Sequence, residues 1–148
     1  MRMSRLLAFA VAVLLAVGAA AAGKGTPAQA QALLAKAVAT VEKDGAATAL
    51  AKFNDTKGGF QDRDLYIFCM DSSNKITAHP DAALRGTDVA TMKDSTGKEF
   101  GKEMVAAAPK GGGTVEYMWK NPVSGKVEPK VSYLKKAGDQ NCGVGAYK

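Results

Sequence analysis

The residues best placed to do chemistry lie between Val115 and Tyr133, in the stretch VEYMWKNPVSGKVEPKVSY. Read as a strand, Val115, Tyr117 and Trp119 point one way while Glu116 and Met118 point the other, because successive side chains of a strand alternate. The single Trp of the chain therefore shares a face with a Tyr. Lys130 and Tyr133 stand across the intervening turn. Aromatic rings beside an ammonium can build a small pocket with an anion-binding end, the rings supplying walls and the lysine supplying charge. The same pattern also fits an ordinary half-buried hairpin, since aromatic residues favour strands in general. His79, the one histidine, reads in two ways. It is either a hydrogen-bonding or titrating pocket group, because imidazole changes charge near neutral pH, or a structural residue capping a strand end.

The rest of the chain offers little reactive chemistry. One His and two Cys far apart in sequence do not form the clustered ligand set of a zinc or haem site, so no metal and no cofactor is expected. A hydrolase would need a nucleophile with a base and an orienting acid; no GxSxG and no paired-carboxylate signature is present, and an enzyme is not expected. KDSTGK at 93–98 has the wrong glycine spacing for a phosphate loop and reads as a turn. The other lysines are scattered among Asp and Glu and read as solvated surface. With neither a basic stripe nor a nucleic-acid module, no nucleic-acid partner is expected.

The elements that must position these residues follow from periodicity. Thr26-Pro27 is a helix start, with Thr26 as N-cap and Pro27 where its missing N–H costs nothing. From there to about Asp44, Ala30, Leu33, Leu34, Ala37, Val38 and Val41 form one apolar stripe. Gly45 breaks the helix, and Ala46 to Phe53 repeats the pattern. At DLYIFCMD the period becomes two, with Leu65, Ile67 and Cys69 on one side and Tyr66, Phe68 and Met70 on the other. Both sides are apolar, which marks a central strand covered on both faces. The turn DSSNK leads to a shorter strand, KITAH, ending at His79-Pro80. Between Asp81 and Gly113 the chain is irregular around one amphipathic helix carrying Phe100, Met104, Val105 and Ala108. The hairpin and a last strand at 141–148 complete an α+β domain: a long N-terminal helix packed on a roughly five-stranded antiparallel sheet with a helical crossover.

The first residues are of another kind. Arg2 and Arg5 precede an apolar run from Leu6 to Val17 and a small-residue site ending at Ala22, the pattern of a secretory signal peptide. The run is shorter than the ~20 residues of a bilayer span, and no Cys follows the site to carry a lipid. Removal of residues 1–22 leaves 148 − 22 = 126 residues, one domain over 23–148, and lowers the formal charge from +6 by two to +4. The expected product is periplasmic or secreted, without stable membrane insertion.

In order and spacing, DLYIFCMD, TAHP, GTDV with MKDSTGKEFGKEM, VEYMWKNPVSGKVEPKVSY and CGVGAYK resemble the single Cache domain family, second type. The resemblance runs from about residue 30 to residue 148 and rests on separated motifs: the AH pair, KDxxGK, the W-x-NP turn and EPKxSY. It implies a PAS-like fold and an extracytoplasmic sensor of small molecules, with a pocket between sheet and crossover for a small organic acid. By the same resemblance Lys130 holds the ligand carboxylate while Tyr117, Trp119, Tyr133 and His79 shape the site. Such domains are usually fused to chemoreceptors or histidine kinases. Without those parts in this sequence, the expectation is a stand-alone binder or a domain that delivers its state to a membrane receptor or kinase. A partner-binding or structural periplasmic domain with a degenerate pocket remains the alternative.

The resemblance also bears on the cysteines. An exported protein with two Cys meets oxidising machinery, and in a PAS-like sheet the first and last strands are adjacent and antiparallel. This brings Cys69 and Cys142 together as a cross-strand disulfide; two buried thiols are the alternative. Intact-mass analysis of the exported protein is expected to show a chain beginning near Gly23. A product that keeps residues 1–22 would make that segment an anchor.

Overall fold

The computed structural model describes residues 23–148; the expected signal peptide, residues 1–22, lies outside the described residues. Helix α1 (Pro27–Asp44) begins as its sequence dictates: Thr26 Oγ1 accepts from Gln29 N, and the Gln29 side chain accepts in return from Thr26 N. It buries Ala30, Leu34, Ala37, Val38 and Val41. Gly45, at φ 83°, turns the chain into α2 (Ala46–Asn54), which buries Ala49 and Phe53.

Six strands follow in one antiparallel sheet. They are β1 (Gln61–Asp62), β2 (Leu65–Met70), β3 (Ile76–Ala78), β4 (Gly112–Lys120), β5 (Val127–Ala137) and β6 (Gln140–Tyr147), with the crossover helix α3 (Phe100–Ala107) between β3 and β4. The spatial order is β1-β2-β6-β5-β4, with β3 also on β2. Two-residue β1 is too short to leave a periodic signal and is absent from the sequence reading. The β4–β5 hairpin is longer than VEYMW and VSYLK suggest. Pro129 belongs to β5, opposite Met118, and contributes its carbonyl by accepting from Lys148 N at 2.9 Å. The turn itself is built on Asn121, whose Oδ1 accepts from Val123 N at 2.9 Å. Its Nδ2 donates to buried Asp64 at 3.2 Å and to Glu128 at 2.7 Å.

Every residue of β2 is buried, because both faces of the sheet are covered. On one face α1 and α2 pack against Leu65, Ile67, Cys69, Val131, Cys142, Val144 and Ala146. On the other, the crossover lays Val89, Phe100 and Met104 against Tyr66, Phe68, Met70, Val115, Tyr117 and Leu134. KDSTGK is the turn its glycine spacing indicates: Asp94 accepts from Thr96 N and Lys98 N through Oδ1 and from Met118 N through Oδ2, which fastens the crossover to the outer edge of β4. In β6, Gly143 and Gly145 face the crossover. A Cβ at Gly143 would run into the Phe68 ring, and one at Gly145 would collide with the stem of Lys130.

The register places Cys69 directly opposite Cys142, and the two form a disulfide that spans 73 residues of chain. A loop of this length corresponds to roughly 4 kcal/mol in the chain-entropy treatment. The double variant Cys69→Ala/Cys142→Ala is expected to lose a few kcal/mol of stability in urea unfolding. Protein that has never been reduced should show no titratable thiol after denaturation; two thiols per chain would contradict the bridge.

Candidate functional site

Lys130 is the centre of the site. It lies on β5 with Ser132 and Leu134 on the crossover face of the sheet, and it is only 1% exposed. Directly across the strands, Tyr117 of β4 stands on one side and Tyr147 of β6 on the other. The ammonium lies 4.1 Å from the ring centre of Tyr66, 5.0 Å from that of Tyr147 and 5.8 Å from that of Tyr117. Ring faces carry negative potential and partly offset the loss of water. Lys130 Nζ donates to Tyr66 Oη at 2.7 Å, and among the described residues no ion pair includes it. Burial pushes its pKa down from 10.5 to about 7, with a small opposing pull from Asp64.

The phenols around it are held in place. Tyr117 Oη and Ser132 Oγ are 2.9 Å apart, and Tyr147 Oη donates to the Lys120 carbonyl at 2.8 Å. Burial raises the pKa of Tyr66, Tyr117 and Tyr147, so all three remain protonated phenols at neutral pH. Phe100 of α3 stacks on Tyr117 with ring centres 4.3 Å apart, and Trp119 meets both rings edge-on.

His79 follows β3 and is 8% exposed. Its backbone is clamped: the N–H donates to Asn54 Oδ1 at 3.1 Å and the carbonyl accepts from Arg85 Nε at 2.9 Å. Nδ1 accepts from Asp81 N at 2.9 Å, so the neutral ring carries its proton on Nε2. Burial, then the nearby charge of Lys130, lowers its pKa to about 4. The clamp is the strand-end role read from sequence, and Nε2 is left as the ring's donor.

Between sheet and crossover lies a cavity of about 30 Å³, lined by Tyr66, His79, Phe100, Met104, Tyr117 and Trp119 among others. That is room for about two water molecules. Tyr66, His79, Leu84 and Trp119 also border a surface groove of about 590 Å³ that runs past Gln61, Asp81 and Lys120. The geometry therefore brings Tyr117, Trp119 and His79 to one cavity. Lys130 sits behind its floor and does not line it. Tyr133 is not brought to the cavity at all: it packs on the helix face with Val131, because strand alternation sends it to the side opposite Lys130. The sequence reading grouped the two across a turn without applying alternation along β5. It also passed over Tyr66 and Tyr147. Their signal was present, since a Tyr inside a strand buried on both faces must find a partner for its hydroxyl. Among the described residues, no cluster of three His, Cys, Asp or Glu side chains could hold a metal ion, and no helix is long and apolar enough to cross a membrane.

A helix-backed antiparallel sheet whose other face closes over a small cavity beneath a crossover defines a PAS-like domain. The chain belongs to the single Cache domain 2 family, whose profile matches residues 1–147. A methyl-accepting chemotaxis protein of Vibrio parahaemolyticus superposes with a TM-score of 0.67 at 21% identity, over 81% of this chain and 86% of that one. A periplasmic sensor domain of a chemotaxis protein gives 0.62 at 24% identity, over 79% and 86%. A Cache chemosensory domain solved for its recognition of carboxylic acids gives 0.58 at 24%, over 79% and 84%. The sensor histidine kinase MctS of Rhizobium johnstonii is 30% identical over 73 residues, 49% of this chain; the chain spans only 16% of that kinase's length.

The two buried bases set a pH dependence. Between pH 4 and 6.5 the unfolded chain binds a proton that folded His79 rejects, and between about 7 and 10 the same holds for Lys130. In both windows the contribution to stability rises with pH, by at most about 1.4 kcal/mol per pH unit for each group. Urea unfolding midpoints of the ligand-free protein should therefore climb from pH 7 to 9, and Lys130→Met should flatten that climb.

Proposed function

We propose that this chain is an extracytoplasmic binding and sensing domain for small carboxylates, exported with residues 1–22 removed and folded as one domain over residues 23–148. It acts as a stand-alone binder or delivers its state to a membrane receptor or kinase, and it carries out no catalysis. The observation that carries the reading is Lys130, a buried ammonium with no carboxylate partner among the described residues, next to a cavity. An isolated buried charge is costly, and a bound anion offsets that cost. Family membership and the carboxylate-recognising Cache domain among its structural relatives support the same chemistry.

The cavity favours short acids. The small volume of about 30 Å³ and the apolar walls from Phe68, Ile76, Val89, Phe100 and Met104 favour the shortest acids and leave no room for a four-carbon diacid without widening. A single buried lysine suits one carboxylate rather than two.

Thermal shift with acetate, propionate, pyruvate and succinate tests the proposal. A bound acid well above its dissociation constant raises the melting temperature by mass action, and the shifts should be larger for the monocarboxylates than for succinate. Lys130→Met is expected to weaken binding at least fivefold, because the carboxylate loses the positive charge nearest the cavity. At pH 7 the same variant should raise the melting temperature of the ligand-free protein, because it removes a desolvated charge. No shift with any of the four acids would favour the partner-binding or structural alternative.

A further inference from the structure

The KDSTGK turn at 93–98 does more than join two segments of the crossover. Strand β4 is the last of the sheet, and among the described residues no strand pairs with its outer side. Such an edge offers a row of unpaired N–H and C=O groups to another strand. What it offers at its centre follows from β5: Pro129, directly opposite Met118, has no N–H to donate, and Met118 turns its own N–H outward. There it meets the turn. Asp94 Oδ2 accepts from Met118 N at 2.9 Å, and Lys98 Nζ donates to the Glu116 carbonyl. One acceptor and one donor, directed at strand residues two apart, are what a paired strand would supply at that place.

The turn is complete without β4. Asp94 N donates to the Lys98 carbonyl at 2.9 Å and Gly97 N to the Asp94 carbonyl at 3.0 Å, while Asp94 Oδ1 accepts from Thr96 N and Lys98 N. One carboxylate oxygen therefore folds the turn and the other is left for the strand. The Met118 N–H, first among its donors, holds the Asp94 carboxyl down at about 2, so the acceptor stays ionised at neutral pH.

We infer that the outer edge of β4 is a strand-pairing surface for a second copy of this chain, and that the KDSTGK turn holds it closed. The inference is independent of the carboxylate reading. The edge is complementary to itself. In an antiparallel pair about a two-fold axis at Met118, Met118 lies against Met118 of the other copy, and Glu116 falls directly opposite Lys120 on both sides of the axis. Opposite charges facing each other across strands stabilise a pair, whereas an axis at Glu116 would set two carboxylates face to face. Glu116, Met118 and Lys120 share one face of the strand, and none of the three is buried. Val127, opposite Lys120 in β5 and 51% exposed, extends the apolar part of that face.

Sedimentation velocity and amide exchange, run over a range of concentrations on the parent and on Asp94→Ala/Lys98→Ala, test this. The parent should stay monomeric, with the Met118 amide protected throughout. The double variant should reach twice the mass as concentration rises, and protection of Met118, lost in the dilute variant, should return with dimerisation. Adding Glu116→Lys should weaken that dimer at least tenfold, and Glu116→Lys with Lys120→Glu should restore it; a merely structural role for the turn would produce neither effect. If the double variant does not fold, Asp94→Ala and Lys98→Ala are read singly in the same way. Variants that stay monomeric overturn the inference. So does a dimer whose Met118 amide remains unprotected, because another surface then joins the copies. A parent that already dimerises through β4 overturns it too, because the turn then closes nothing.

Discussion

An ammonium buried in the middle of a β-sheet with a phenol where a carboxylate would ordinarily stand is the constraint to which much of this structure answers. Taking a charged amine out of water costs several kcal/mol unless something replaces the water. Here the replacement is distributed: one hydrogen bond donated to Tyr66 Oη and the faces of three tyrosine rings. Room for the lysine stem comes from Gly145, where a side chain would occupy the same space. The rings in turn need cover, which Phe100 and Trp119 provide from the crossover and the hairpin. An apolar residue at position 130 would pack with less cost, so retaining the amine trades stability for an electrostatic field at the cavity.

Much of this was legible in the sequence, for identifiable reasons. α1 was readable because its cap, its proline and its apolar stripe agree. β2 was readable because an apolar run with period two and no polar face admits little else. The disulfide followed from the family resemblance and the expected export signal taken together. What was lost turns on side-chain direction. Lys130 and Tyr133 are near in sequence, and only alternation along β5 shows that they belong to opposite faces. The depth of Lys130 was legible only through the family resemblance, because a surface Lys after a Pro at a strand start is unremarkable. It becomes visible once Gly145 is paired opposite Ser132, next to Lys130, in the register. Tyr66 was hidden by its company, since a Tyr within LYIFCM reads as core.

The comparisons carry different weights. The family profile covers nearly the whole chain and fixes its membership. The solved relatives, at 21–24% identity, carry the fold and nothing finer.

The bridge between Cys69 and Cys142 has a mechanical consequence. It staples β2 to β6 on the helix face, opposite the side on which Tyr66 and Tyr147 flank the ammonium. Two strands joined covalently at matched positions cannot slide past each other, so the sheet is the more constrained of the cavity's two walls. Any widening to admit a guest falls to the opposing wall, the run from Leu84 to Met104. That run is made of short 3-10 turns and one two-turn helix and is fastened to β4 chiefly through Asp94. A guest too large for the cavity would therefore displace the crossover and leave the sheet in place.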